Sequence, residues 1–146
     1  MGLEVFPLPG TPERLRYTYW LHFAEGSAMP PLLLKLVFER IKRASVPLFV
    51  RPIARGIADR ALTSFVQPNL VRIFDYLESE LAGRDWFAGS AFTAADIQMS
   101  YPVEAARARA GLDDSRPRVI AWLERIHARP AYGRALESGG VYELPS

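Results

Sequence analysis

The residues whose types and spacing allow chemistry are few in this 146-residue chain. Cysteine is absent, which excludes disulfides, thiolate metal sites and a cysteine nucleophile. Only two histidines occur, His22 and His127, and they are too far apart in sequence to predict a metal site. His22 and Glu25 fall one turn apart on one helical segment. That spacing allows an acid–base pair, although a polar surface or interface pair is the commoner use of it. Asp96 has the side chain of a general acid or base, but it follows Thr93 by three positions. In Phe92-Thr93-Ala94-Ala95-Asp96-Ile97 that is the spacing of a capping box, with Asp in the place of Glu, and capping is the reading we prefer. Tyr17, Tyr19 and Trp20 could line an apolar pocket or pack in a core. Core packing is favoured for Trp20, while the two readings of Tyr17 are evenly balanced. Arg107, Arg109, Arg129 and Arg134 could meet an anion, though solvated helix faces are their default. No constellation activates a nucleophile, so no catalytic residue is expected.

These side chains must be positioned by helices. Thr11-Pro12-Glu13 is a strong helix start, with a capping hydroxyl, a proline at the first position and an early acid. The helix over about 12–25 carries Leu15, Tyr17, Tyr19, Trp20, Leu21, Phe23 and Ala24 around most of its circumference, so it should be buried on more than one side. Gly26 and Pro30-Pro31 are expected to interrupt it before a second run over 31–43. A loop is expected at 45–52, then a helix over 53–67 that Pro68 should kink or break. Leu70, Ile73, Phe74, Leu77 and Leu81 repeat at helical steps over 69–82, and Gly83 follows as a cap. Asp85-Trp86-Phe87-Ala88-Gly89 reads as a turn with two large anchors. The helix over 94–109 is apolar or small on nearly every face and is the expected central buried helix, with Phe92 and Ile97 at staple positions, a bend at Pro102 and an end at Gly111. Val119, Trp122, Leu123 and Ile126 form the stripe of a helix over 117–128, followed by a short helical turn at 131–137. No alternating strand pattern occurs, so the fold class is all-α. Residues 1–10 read as a linker, 11–140 as the helical domain and 141–146 as a tail.

The bulk composition sets outer limits. The formal charge is +2, with basic residues interleaved with acids, so no nucleic-acid partner is expected. The longest apolar stretch, Leu32-Leu33-Leu34, meets Lys35 and cannot span a bilayer, so no membrane partner is expected either. The start lacks the basic and apolar regions of a signal peptide. With the absence of cysteine, this fits a reducing cytoplasm.

Three stretches carry a resemblance. They are Tyr19-Trp20-Leu21-His22-Phe23-Ala24-Glu25-Gly26-Ser27-Ala28-Met29-Pro30, then Trp86-Phe87-Ala88-Gly89 with Phe92 to Ile97, and Trp122 to Ile126 with Arg129-Pro130-Ala131-Tyr132. Together they resemble the C-terminal domain of glutathione S-transferases, nearest the bacterial and fungal group like yeast glutathione transferase I. The resemblance covers roughly residues 8–140. It implies a helical bundle around a central buried helix, with glutathione as co-substrate of the intact enzyme and no prosthetic group. It implies that Tyr17, Tyr19 and Trp20 line the pocket for a hydrophobic electrophile. It also implies that Glu25, with His22 beside it, can reach glutathione bound in the neighbouring subunit of a homodimer. The family's thioredoxin-like half, which binds glutathione and activates its thiol, has no counterpart here and would be a partner domain or subunit. Two functions follow. One is the electrophile-pocket and dimerisation domain of a detoxifying transferase, with little activity alone. The other is a non-enzymatic interaction module.

Overall fold

A computed structural model describes residues 6–140; residues 1–5 of the expected linker and the expected tail at 141–146 lie outside the described residues. The described elements are all helical. They are α1 (Pro12–Phe23), α2 (Met29–Arg43), α3 (Arg51–Ala61), α4 (Gln67–Glu80), α5 (Ala94–Arg109), α6 (Pro117–His127) and α7 (Pro130–Gly139). The Thr11 hydroxyl starts α1 by accepting the Arg14 N–H at 3.2 Å, with Pro12 in the first turn.

The prolines do not break the chain where the sequence predicts. A π-helical turn at Ala24–Ala28 joins α1 to α2, and a second at Leu62–Val66 joins α3 to α4. Both limbs therefore stay helical throughout, 12–43 and 51–80. The reason is local. A proline removes the hydrogen bond to the carbonyl four residues back and presses its ring against it. For Pro30 and Pro31 those carbonyls belong to Gly26 and Ser27, and for Pro68 to Ser64, all inside the π turns. There the ladder widens by one residue: Met29 N–H donates to the Ala24 carbonyl and Gln67 N–H to that of Leu62. The Thr63 and Ser64 hydroxyls donate to the carbonyls of Asp59 and Arg60 at 2.8 and 2.5 Å. Hydrogen bonds are rerouted rather than lost, so the helices continue.

The core gathers on α5, whose Ala95, Asp96, Met99, Val103 and Ala106 are buried. Helices α1, α2 and α6 pack directly against it. Gly111, at φ 82, lets the chain turn so that Leu112 N–H reaches back to the Ala106 carbonyl at 3.3 Å. From α1, Trp20 is fully buried and meets Phe87 at 4.4 Å between ring centroids; Phe87 in turn meets Trp122 of α6 at 4.8 Å. The aromatic chain joins α1, the 85–89 turn and α6 through one apolar centre. Helix α1 is not covered all round by this chain. Tyr17, Trp20 and Ala24 face inward, whereas Leu15 and Tyr19 remain 76% and 46% exposed.

Candidate functional site

The two proline-driven π turns face each other across a cleft of about 530 Å³. Tyr19, Phe23, Pro31 and Leu34 form one wall, and Phe65, Ile73 and Tyr76 the other. Ser27 and Phe65 come from the π turns themselves. Such turns swing side chains out of helical phase, which is why they recur at functional sites. Polar groups enter at Asn69 and Arg72, where Arg72 donates to the Asn69 amide oxygen at 3.3 Å.

The cleft's two phenols are coupled. Burial pushes the Tyr76 hydroxyl well above its usual range, helped by the neighbouring Tyr19 phenol and the negative charge of Glu80. Tyr76 therefore stays neutral at physiological pH. The cleft offers apolar walls and hydroxyls, suited to holding an apolar molecule and orienting one polar atom. Its lining holds neither a carboxylate nor a histidine placed to move a proton. Among the described residues, no group of three His, Asp or Glu is arranged to hold a metal ion.

The structure separates the three aromatics named from sequence. Tyr19 lines the cleft, while Trp20 stands behind it, stacked on Tyr76 at 5.6 Å and closed off from solvent. Tyr17 is buried elsewhere, against Phe6 at 5.8 Å and under the Arg14 guanidinium at 5.2 Å. Among the described residues, no hydrogen bond or ion pair joins His22 to Glu25; Glu25 instead accepts from the Gln98 amide of α5 at 2.5 Å. The π turn begins at Ala24, between the two, and shifts the phase that their spacing assumed.

Thr93 and Asp96 form a capping box at the start of α5, in which Asp96 Oδ2 accepts from the Thr93 N–H at 2.9 Å and its hydroxyl at 3.1 Å. Asp96 Oδ1 accepts from the Phe87 N–H at 3.0 Å and from Trp122 Nε1 at 3.1 Å. Burial pushes its carboxyl upward in pKa, and these four donors pull it back down without cancelling the rise. With every oxygen engaged and no solvent access, Asp96 is a structural node. Of the arginines, Arg107 pairs with Asp114 at 2.8 Å and Arg129 lies 3.5 Å above the Phe92 ring. Arg109 lines a separate cavity of about 150 Å³ between α2 and α5, and Arg134 is exposed. Phe92 and Ile97 line one cavity together at the α5–α7 corner, with Ile97 largely exposed.

Phe65, Arg72 and Tyr76 of the second limb of the cleft are not among the sequence-predicted site residues, and Ile73, expected in the inward stripe of the 69–82 helix, lines the cleft beside them. The available signal was Pro68, which, like Pro30 and Pro31, stands four residues after a glycine or serine: Ser64 here, Gly26 and Ser27 there. Sequence reasoning also passed over Glu104, a buried acid of α5 whose Oε1 meets His127 Nε2 at 2.7 Å and the Tyr132 hydroxyl at 2.9 Å.

Residues 37–125 match a family model described as "Glutathione S-transferase, C-terminal domain". Glutathione S-transferase 3 of Schizosaccharomyces pombe is 30% identical over 122 residues, covering 84% of this chain and 50% of that protein. Glutathione S-transferase 1 of Saccharomyces cerevisiae is 26% identical over 121 residues, covering 82% and 52%. Among solved structures, glutathione S-transferase III in apo form aligns with a TM-score of 0.64 at 28% identity, over 94% of this chain and 61% of that one. A sphingomonad glutathione S-transferase complexed with glutathione aligns with a TM-score of 0.64 at 26% identity, over 94% and 60%. The chain thus spans about half the length of the curated relatives it matches.

Proposed function

Because this chain belongs to the glutathione S-transferase family through its C-terminal domain, we propose that it supplies the electrophile pocket of a glutathione-conjugating enzyme. The carrying observation is the apolar cleft between the two π turns, with Tyr19 and Tyr76 in its walls. A hydrophobic electrophile enters it and gives up water-exposed apolar surface, while a phenol donates to its polar atom.

The chemistry itself requires a glutathione thiolate. Lowering a thiol's pKa takes a hydrogen-bond donor or a cation beside the sulfur. In this proposal that group, and the glutathione site, come from a thioredoxin-like domain or subunit. The present chain then holds the electrophile and has little conjugating activity alone. Exposed Leu15 on α1 supports a covering partner, and we assign it to a homodimer in which Glu25 and His22 approach glutathione of the neighbouring subunit. A cytoplasmic place and a role in detoxification complete the proposal; both rest on the family membership, and the absence of cysteine is compatible with a reducing compartment.

The test has two parts. Purified chain is mixed with an apolar aryl halide, and quenching of tryptophan emission is followed, since Trp20 stacks on the cleft residue Tyr76. Saturable quenching that weakens in Tyr19→Ala is expected. Glutathione conjugation of the same halide is then measured. A rate at the uncatalysed background, rising when a relative's thioredoxin-like half is added, is expected. Robust turnover by the chain alone would place the thiol chemistry here and overturn the division of labour. If addition of that half changes nothing while the halide still binds, the interaction-module reading takes over.

A further inference from the structure

The near-neutral total charge conceals a concentrated basic region. Residues 35–60 hold seven Lys and Arg against two acids, a balance of +5 in a chain that totals +2. In sequence these charges are interleaved with acids. Folding undoes the interleaving. Both acids are taken by lysines, Glu39 by Lys35 at 2.6 Å and Asp59 by Lys42 at 2.6 Å. Arg40, Arg43, Arg51, Arg55 and Arg60 are exposed and form no ion pair among the described residues. Helices α2 and α3 pack as a hairpin, which gathers Arg40, Arg43, Arg51 and Arg55 toward its closed end and leaves Arg60 at the far end of α3.

That end is also apolar. In the 44–50 connection Leu48 and Phe49 are 82% and 79% exposed. On α3, Ile53 and Ile57 follow one turn apart, each 63% exposed. Large apolar side chains this exposed and this close together mark an interaction surface. We propose that the α2–α3 tip docks this chain on a membrane surface rich in anionic lipid, with Leu48 and Phe49 entering the headgroup–acyl boundary and the arginines binding phosphates. The inference is independent of the transferase reading.

The charge pattern selects this occupant. An anionic bilayer offers phosphates and an apolar layer at adjacent depths, matching both components of the tip. Nucleic acid offers phosphates but no apolar medium for Leu48, Ile53 and Ile57. A second copy joined by its own tip would bring two sets of four arginines together, which repel. The docking is peripheral: no described helix is long and apolar enough to cross a membrane. It replaces the expectation of no membrane partner, which considered only spanning segments and charge order along the chain.

The experiment is sedimentation of the full chain with vesicles of phosphatidylcholine alone and of phosphatidylcholine mixed with phosphatidylglycerol, at low and high salt. Binding to the mixed vesicles only, weakening with salt, is expected. The double substitution L48S/F49S should lower the partition on the order of tenfold. R43A/R51A should lower it as well and flatten the salt dependence. Circular dichroism of each variant verifies that the fold persists, as expected for exposed positions. Equal binding to both vesicle types overturns the proposal, as does L48S/F49S binding like the parent chain. Duplex DNA outcompeting the mixed vesicles overturns it in favour of nucleic acid. Dissociation of a self-assembly by L48S/F49S, with vesicle binding unchanged, overturns it in favour of a copy-to-copy interface.

Discussion

The Trp122 indole donates its Nε1–H to Asp96 Oδ1 at 3.1 Å, so the last packed layer of the core is fastened to the start of its central helix. The same carboxylate receives the Phe87 N–H at 3.0 Å and the Thr93 N–H at 2.9 Å. One buried acid therefore joins the 85–89 turn, α5 and α6.

Asp96→Ala should be far more costly than an ordinary lost cap. A cap alone is worth about 1 kcal/mol. Here three buried N–H donors lose their acceptor, each at about 1–3 kcal/mol, so a total above about 3 kcal/mol is expected. Trp122→Phe, which removes only one donor and keeps a ring, should cost less. Urea unfolding of both variants checks the order, and equal midpoints for Asp96→Ala and the parent chain would refute the node.

Tyr19 and Trp20 adjoin in sequence and should behave oppositely. Trp20 is fully buried, so Trp20→Ala is expected to destabilise by about 3–5 kcal/mol. Among the described residues its Nε1 has no hydrogen-bond partner, so Trp20→Phe, which leaves no orphaned donor, should be much milder. Tyr19→Ala should leave stability within about 1 kcal/mol while weakening binding of an apolar ligand. Thermal melts paired with a ligand titration separate the roles.

Arg16 reaches across the molecule. Its Nη2 donates to Glu80 at 2.7 Å and to the Phe87 carbonyl at 3.0 Å, and its Nε to that carbonyl at 3.2 Å. A lysine cannot reproduce this fork. Arg16→Lys should therefore lose most of what Arg16→Ala loses, about 1–2 kcal/mol, in denaturant melts.

Stability should fall in strong alkali through Tyr132. Burial, and then the hydrogen bond it donates to Glu104, push its hydroxyl from 10.0 up to about 12. In that window the folded chain keeps a proton that the unfolded chain has lost, so unfolding is increasingly favoured as pH rises. The contribution is complete below pH 10.0 and gone above about 12. Urea midpoints of the parent chain should drop across this range more steeply than those of Tyr132→Phe; parallel slopes would contradict the assignment.

Helical class, the identity of α5 as the central helix, and the stripes of α4 and α6 were legible from spacing alone. Each depends on residues within a turn or two of one another, and the 3.6-residue period dictates which of them meet. The three-residue step from Thr93 to Asp96 is a signal of the same local kind. The prolines misled because their rule is also local. It states that a hydrogen bond must be lost, not that a π turn can reroute it.

By itself the amino-acid order determined which segments coil, where they start, and which faces are apolar enough to need burial. Only the tertiary structure decided that Tyr19 faces a cleft while Trp20 seals the core, that Phe87 and Trp122 share one buried carboxylate, and that the charges of residues 35–60 separate into paired lysines and arginines without an ion pair among the described residues. The first two outcomes depend on contacts between residues far apart in the chain, such as Trp20 with Tyr76 and Asp96 with Trp122, 56 and 26 positions apart. Spacing along a chain encodes a helix face, but which two faces meet is settled by packing all of them around one core at once.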